Sequence, residues 1–326
     1  RAFYLRRALR ILPLYYFYLI LIGLYAAVFD RPGFFGALPY LLTFTYNIAM
    51  ALGWPIGATT GTAHLWSISG EEQFYLIFPF LFVFLPRRRF VLILASLLVL
   101  CPILRGILGA TGTGANLSGL NERVALFTPA HFDSFAAGAL ISLATYGREV
   151  SQRSGYAWLV AGLLALAGYT GGYALLQASR LGDLGPEAFR NVLSGRVVGD
   201  YREVFAYSAV LMASAGLIVA VIARIPAVCW IFRIRAFQQI GRISYGGYVY
   251  HGLAIELLTR FTAARIDTGL AGRLWFFAAV FTISMALAWP SFHLLERPFT
   301  RIRPRAPRAN APGQNAPDPM IPDPMG

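Results

Sequence analysis

Charged residues are scarce in this sequence, and one kind is missing altogether. Asp, Glu, Lys and Arg make up 13% of the 326 residues, whereas 57% are hydrophobic and 15% are aromatic. All 28 basic residues are Arg, because the sequence contains no Lys. A soluble domain of this length does not bury so many apolar residues around one core. The composition therefore excludes an ordinary soluble protein and indicates an all-α polytopic membrane protein.

Cysteine is equally scarce, and its two positions exclude two kinds of site. Cys101 and Cys229 lie on or beside different apolar segments, so they form neither a metal-type cluster nor a disulfide framework. We expect both to be packing residues, and we expect no metal. The Arg residues fall in clusters between the apolar runs, and no basic stretch outside those runs is interleaved with aromatic residues. We therefore expect the lipid bilayer as a partner and no nucleic acid.

Apolar runs recur from one end of the chain to the other. A helix needs roughly 20 apolar residues to cross a hydrocarbon core of about 30 Å, and fewer where flanking side chains snorkel. Eight such runs are 12–29, 72–86, 90–106, 131–146, 156–177, 204–223, 242–260 and 273–294. We predict about eight transmembrane helices over these residues.

A ninth apolar piece, 37–51, is short and is flanked by Gly36, Gly53 and Pro55. If it does not cross the membrane, every Arg-rich loop lies on the same side, as the positive-inside rule requires. We therefore predict one short re-entrant or interfacial segment, with both ends of the chain in the cytoplasm. On this topology the connection 52–71 lies outside.

The chain divides into one membrane domain, residues 1–303, and a tail. Residues 304–326 are rich in Pro and Ala and contain PDPM twice. Because such a composition cannot supply a packed core, we expect a disordered cytoplasmic tail.

Two adjacent carboxylates, Glu71 and Glu72, open the apolar run that follows them. Ser69 with Glu72 three residues later has the spacing of a capping box, in which side chains satisfy backbone amides at a helix start. This interpretation leaves Glu71 and Gln73 unexplained. Because carboxylates at the outer boundary of a bilayer are costly unless paired or functional, the alternative is a polar site facing the interior of the bundle.

The same stretch carries a family resemblance. WSISGEEQFYLIFP (66–79) resembles the WS-x-S-x-EEQFYL-x-x-P signature of acyltransferase family three, the integral-membrane O-acyltransferases of surface glycans and related acceptors. Further segments agree in the family's order: FYLRRALRILPLYY (3–16), HFDSFAAGALIS (131–142), GRISYGGYVYH (241–251) and LLERPF (294–299). The resemblance covers residues 3 to about 303.

Some features depart from the family pattern. Gly70 stands where a small aliphatic residue is usual, and Gly252 stands where the family often has an aromatic residue. The family also has two helices upstream of the first matched segment, and the first of them carries an Arg and a His that are held to be catalytic. We therefore expect a chain truncated at its N-terminus, with eight of the family's ten helices and no activity by itself.

The resemblance implies an acyl-CoA-dependent O-acyltransferase of the bacterial inner membrane. It takes an acyl group, most simply acetyl, from acyl-CoA and places it on a hydroxyl of a cell-surface glycan, a form of polysaccharide modification by O-acetylation. Two alternatives remain open: a transporter of a lipid-linked sugar or small anion, and an acylase of a small cytoplasmic acceptor. We find no internal repeat of the kind that transporters usually show.

Candidate site residues come from the matched segments. We expect Glu71, Glu72 and His251 to be catalytic, beside the main catalytic His expected upstream; for His251 the alternative is an interhelical hydrogen bond. The Arg forks at the cytoplasmic face suit the phosphates of CoA, with plain positive-inside anchoring as the alternative. The substrate-binding candidates are Arg6, Arg7, Arg10, Ser69, Gln73, Tyr75, Asp133, Ser244, Tyr245 and Tyr248.

Other polar residues receive expectations of their own. Four residues near the outer boundary are candidates to join Glu71 and Glu72 around an acceptor site: Arg105, Arg123, His131 and Asp133. For Arg105 and Arg123 the alternative is an ion pair with a carboxylate. We expect His64 and His293 to be interfacial or packing residues. We expect Glu296 and Arg297 to form a cytoplasmic ion pair at the end of the last helix.

Overall fold

The computed structural model describes residues 2–57, 61–110, 124–182, 192, 199–261 and 269–302. Every regular element in these ranges is a helix, which confirms the predicted all-α class. The tail predicted to be disordered, 304–326, and Arg123 lie outside the described residues.

In the described ranges, eight helices of 14 or more residues follow the eight predicted spans, with shorter helices between them. The long ones are α1 (Ala2–Val28), α4 (Trp66–Phe84), α5 (Arg87–Ala110), α6 (Phe132–Thr145), α7 (Gln152–Leu181), α8 (Arg202–Ile222), α10 (Arg235–Phe261) and α11 (Leu270–Ser291). The short ones are α2 (Gly33–Leu42), α3 (Tyr46–Ala51), α9 (Pro226–Arg233) and α12 (Arg297–Arg301). A π-helical turn, Phe292–Glu296, joins α11 to α12, and 3₁₀ turns at Ala63–Leu65 and Thr128–His131 precede α4 and α6.

Five helical stretches in the described part of the chain are long and apolar enough to cross a membrane. They are Ala2–Val28, Arg87–Ala110, Gln152–Leu181, Arg202–Ile222 and Ala271–Arg301. The 14 residues of α6 are about 21 Å long, which is less than a full hydrocarbon core. The number of crossings predicted from the sequence therefore stays a prediction, whereas the membrane class agrees with these helices.

Helices α7 and α8 are packed closely against each other in antiparallel directions. A Cβ atom added to Gly162 would lie 2.6 Å from the Met212 carbonyl oxygen, and one added to Gly216 would lie 2.4 Å from the Trp158 carbonyl oxygen. Such backbone contact is open only to residues without a side chain, as is common between membrane helices.

The apolar piece 37–51 enters the bundle and turns back. It forms the end of α2 and all of α3, and the Tyr15 hydroxyl of α1 donates to the Leu41 carbonyl at 2.9 Å. After α3 the chain returns to the start of α2, where a Cβ added to Gly57 would lie 2.1 Å from the Gly33 Cα. The segment therefore folds back within the bundle, and its predicted re-entrant or interfacial position in the membrane stays a prediction.

Helix α4 begins at Trp66, six residues before the predicted start at 72. The N-cap residue, Leu65, offers no side-chain cap, and the Ser69 hydroxyl donates to the Leu65 carbonyl at 3.4 Å within the helix. The capping-box interpretation of Ser69 and Glu72 is therefore wrong. Both glutamates lie on the second turn of a helix that has already begun.

The predicted outer position of the two glutamates is also wrong. The Tyr18 hydroxyl donates to the Gly61 carbonyl at 2.5 Å, so the chain reaches the interior of the bundle before α4 starts. Later in α4, the Leu76 carbonyl accepts a hydrogen bond of 3.1 Å from the Tyr4 hydroxyl, near the first residue of α1. The glutamates, which lie between these two levels, are therefore on the Arg-rich side of the bundle.

Candidate active site

A cavity of about 380 Å³ lies between α1, α4 and α10, and we call it the Arg10 cavity. Its lining residues are Arg7, Arg10, Ile11, Ser67, Ile68, Glu71, Ser244, Tyr245 and Tyr248. It brings two guanidinium groups, one carboxylate and four hydroxyl groups from three helices to one place. Predicted site residues that are up to 241 positions apart in the chain thus share a wall of the same cavity.

A second cavity of about 270 Å³ adjoins the first, and we call it the Glu72 cavity. Its lining residues are Tyr4, Arg7, Ala8, Leu12, Thr43, Phe44, Glu72, Gln73, Tyr75 and Leu76. Arg7 lines both cavities, and its guanidinium carbon lies 4.0 Å from the centre of the Tyr75 ring. This cation–π contact fixes the guanidinium between the two spaces.

The charged groups that line these two cavities are close enough to interact electrostatically. The Glu71 carboxylate interacts electrostatically with Arg7 and Arg10, and the Glu72 carboxylate interacts with Glu71 and Arg7. The Glu72 Oε1 atom is buried and has no hydrogen-bond partner among the described residues. A buried carboxylate oxygen without a donor is available to a hydroxyl group of a ligand.

Two hydroxyl groups on α10 contact the neighbouring helices α1 and α4, and a third forms a hydrogen bond within α10. The Tyr245 hydroxyl donates to the Ile11 carbonyl at 2.9 Å, and the Ser244 hydroxyl donates to the Gly241 carbonyl at 2.9 Å. The Tyr248 hydroxyl contacts the Ser67 hydroxyl. Ser67, which the sequence analysis left out, therefore lines the Arg10 cavity.

Two histidine rings meet behind Tyr248. The centres of the His64 and His251 rings are 4.3 Å apart, and the Tyr248 hydroxyl donates to the His64 carbonyl at 2.5 Å. His64 was expected at the interface or in packing; it lies instead beside a predicted catalytic residue. A Cβ added to Gly252 would lie 2.4 Å from His64 Cε1, so the glycine that departs from the family pattern makes room for this ring.

Each of the two histidines has one nitrogen at a backbone carbonyl. His64 Nε2 is 3.0 Å from the Val249 oxygen, and His251 Nδ1 is 2.5 Å from the Tyr248 oxygen. A carbonyl oxygen only accepts, so each of these nitrogens is the one that carries a proton in the hydrogen bond. The other nitrogen of His64, Nδ1, is buried and has no hydrogen-bond partner among the described residues.

A family model described as an acyltransferase domain matches residues 1–293. The chain belongs to acyltransferase family 3. No curated protein and no solved structure matches it. Together with the long apolar helices, the family makes this chain a multi-pass membrane acyltransferase.

Gln73 connects the acyltransferase's re-entrant segment to α4. Its Nε2 atom donates to the Phe44 carbonyl and to Asn47 Oδ1, both at 2.8 Å, and Asn47 in turn donates to the Thr128 hydroxyl. These bonds position the turn between α2 and α3 against the Glu72 cavity. The predicted contact of Gln73 with a substrate stays a prediction, as does that of Tyr75.

Three of the other candidates lie away from the acyltransferase's two cavities. The Arg6 side chain is exposed and lines neither cavity, and the buried Ser69 is bonded within its own helix. Asp133 forms a buried ion pair with Arg105, with 2.8 Å between Oδ2 and Nη2. His131 Nε2 is 2.9 Å from the Val124 carbonyl. The predicted grouping of these outer residues with the glutamates is therefore not formed by the described ones.

Glu296 does not form the expected ion pair with Arg297 in the described part of the chain, so that prediction is wrong. Glu296 is 5% exposed at the end of the π turn, and a Cβ added to Gly246 would lie 3.3 Å from its Oε1. Its carboxylate interacts electrostatically with Arg10 and Tyr245 and has one buried oxygen without a partner among the described residues. The extra residue of the π turn directs the side chain into the bundle.

Two larger cavities of the acyltransferase contain no predicted site residue. One, of about 500 Å³, lies between α7 and α8 and is lined mainly by apolar side chains. The other, of about 820 Å³, lies between α10 and α11. In the part of the chain that the structure describes, no group of three His, Cys, Asp or Glu residues suits a metal ion.

Proposed function

We propose that this membrane acyltransferase transfers an acyl group, most simply acetyl, from acyl-CoA to a hydroxyl of a cell-surface glycan, and that it does so in the bacterial inner membrane. The observation that carries the proposal is the pair of adjoining cavities that share Arg7, one lined also by Arg10 and Glu71 and the other by Glu72. Cations and carboxylates in one place supply both needs of the reaction, an anion site and a proton acceptor.

The arginines suit the donor. The phosphates of CoA are anionic, and guanidinium groups bind phosphate oxygens through two parallel hydrogen bonds. Arg7 is held over the Tyr75 ring and interacts with Glu71, so less side-chain freedom is lost when a phosphate binds. The Arg-rich side of a membrane protein faces the cytoplasm, where CoA thioesters are made.

The carboxylates suit the chemical step. The acceptor hydroxyl oxygen attacks the thioester carbonyl carbon, the new C–O bond forms, the C–S bond breaks, and the thiolate leaves. The hydroxyl proton passes to a base and then to the thiolate. Glu72 has a buried oxygen without a donor, which fits the role of that base.

Adjacent arginines allow a matched test. The protein is expressed from its complete reading frame, purified into lipid nanodiscs, and given acetyl-CoA labelled in the acetyl group together with an isolated membrane glycan. Arg7→Gln is expected to lower kcat/KM for the donor by about 10- to 100-fold, the loss of one charged hydrogen-bonding group. Arg6→Gln, which removes an exposed arginine outside the cavities, is expected to stay within about twofold.

Two results would contradict the proposal. One is that the unaltered protein moves no label into the glycan under any of these conditions. The other is that the Arg6 and Arg7 variants lose activity equally, which would make the cluster a topology signal alone. Movement of a lipid-linked sugar across vesicles without label transfer would favour the transporter instead.

A further inference from the structure

A second basic cavity lies next to the Arg10 cavity, and we call it the Arg242 cavity. It has a volume of about 820 Å³ and is bounded by α10, α11 and the π turn. Its polar and ring-bearing lining includes Gln239, Arg242, Trp289, His293 and Arg297. The two cavities are neighbours, because Ile243 lines this one and the following residue, Ser244, lines the Arg10 cavity.

Among the residues that the structure describes, the two arginines of the Arg242 cavity have no acidic partner. No Asp or Glu of the described residues lines this cavity, and the three ion pairs found in those ranges involve other arginines. Glu296 directly precedes Arg297 but turns towards Arg10 on the other side. Two unpaired guanidinium groups that face one space are suited to an anion, and to phosphate in particular.

Flat rings lie beside these cations. The centres of the Trp289 and His293 rings are 4.7 Å apart, and Trp289 is 60% exposed. An exposed indole next to guanidinium groups offers a face on which a nucleobase stacks while its phosphates are bound. The cavity volume lies in the range of about 300–1,000 Å³ that is typical of sites for ligands of this size.

We propose that the Arg242 cavity binds the phosphate-bearing nucleotide end of acyl-CoA. This inference rests on the proposed function and specifies where the donor lies. The Arg10 cavity, at about 380 Å³, suits the next part of the donor, because Arg7 and Arg10 line it and can bind the pyrophosphate that follows the nucleotide. The donor then extends from the larger cavity, past the start of α10, to the carboxylates of α4.

The test uses a probe that carries no acyl group, so that binding is measured without transfer. Adenosine 3′,5′-bisphosphate is titrated calorimetrically into the protein, expressed from its complete reading frame, in phosphatidylcholine nanodiscs. Arg242→Gln and Arg297→Gln are each expected to weaken binding by about 10-fold or more. Arg235→Gln, on the same helix and exposed outside the described cavities, is the control and is expected to stay within about twofold.

A further variant separates the base from the phosphates. Trp289→Leu is expected to weaken binding of the bisphosphate by about 10-fold, because stacking on one base contributes about 1–3 kcal/mol. The same variant is expected to leave binding of inorganic phosphate within about twofold. Each variant is compared with the unaltered protein for its thermal midpoint and its size-exclusion profile, so that misfolded protein is recognised.

The outcomes distinguish this inference from the proposed function. Unchanged bisphosphate binding in Arg242→Gln overturns the inference even if the protein transfers acetyl groups. If the bisphosphate does not bind but phosphatidylglycerol stabilises the protein through Arg242, the cavity holds a lipid headgroup and the inference also fails. If the bisphosphate binds through Arg242 and Trp289 but no acetyl group is transferred, the nucleotide site stands and the proposed function fails.

Discussion

Arg105 and Asp133 show how buried charges are compensated in this bundle. Their side chains are 0% and 2% exposed, and the Arg105 guanidinium also donates to the Ala130 carbonyl at 2.5 Å. A charge buried in this way is costly unless a partner of opposite sign and further hydrogen bonds compensate it. The sequence alone leaves Asp133 open as a substrate-binding residue, whereas its contacts indicate that it stabilises the fold.

Asp133→Asn tests this assignment, because it leaves the buried Arg105 without its counter-charge. We expect a loss of about 3–5 kcal/mol in stability, measured as the free energy of unfolding in detergent. The folded fraction is expected to keep its KM for donor and acceptor within about twofold. A KM that rises while stability is unchanged would assign Asp133 to the substrate instead.

The control is Asp200→Asn, which breaks an exposed ion pair with Arg180. Exposed pairs contribute little, so a small effect is expected. The hydrogen bond from Arg180 lowers the pKa of the Asp200 carboxyl. The stabilisation from this pair is therefore present above the ordinary pKa of Asp and is lost as the pH falls through the lowered value.

At the scale of elements, the site depends on segments that turn back within the bundle. The re-entrant pair α2 and α3 places the Phe44 carbonyl at Gln73, and the stretch from Gly61 to Leu65 brings α4 into the bundle part-way. A helix that begins inside the bundle can present Glu71 and Glu72 to the Arg-rich end of α1. An uninterrupted helix from the outer face would place these carboxylates elsewhere.

The close contact between helices α7 and α8 leads to a testable prediction. Gly216→Ala places a methyl group against the Trp158 backbone, which cannot move without separating the helices. We expect a loss of about 1–3 kcal/mol in the free energy of unfolding, the usual cost of overpacking. The matched control is Gly171→Ala in α7, where a Cβ meets nothing within 4 Å and helix propensity improves. Equal stability of both variants would contradict the close contact.

At the scale of the whole molecule, the long helices alternate in direction and leave the Arg clusters at one end. Arg7 lies near the start of α1, Arg88 at the start of α5, and Arg242 near the start of α10. The Arg10 and Arg242 cavities open among these residues. The positive-inside rule then places the donor side in the cytoplasm.

This orientation is testable by labelling from one side at a time. In a protein with Cys101→Ser and Cys229→Ser, Arg88→Cys and Tyr201→Cys each introduce one exposed thiol, at opposite ends of the bundle. An impermeant maleimide is expected to label Arg88→Cys only in inside-out vesicles and Tyr201→Cys only in right-side-out vesicles. Labelling of both from the same side would contradict an odd number of crossings between residues 88 and 201.

The class, the helices and the family could be read from local patterns. Apolar runs longer than a few helical turns have no stable alternative to a helix in lipid, so the long helices follow the predicted spans. The signature around Glu71 and Glu72 agrees with the family, as do the segments that contain Arg7 and His251. All three of these features depend on residues close together in the chain.

The arrangement of the site could not be read in this way, because it depends on contacts between distant segments. His64 meets His251 only because Gly252 has no side chain. The sequence around residue 64 does not predict this contact. Ser67 rather than Ser69 faces the Arg10 cavity, because α4 packs with Ser67 against Tyr248 of α10. Spacing along a helix gives the face that a side chain occupies, but packing against other helices decides what that face meets.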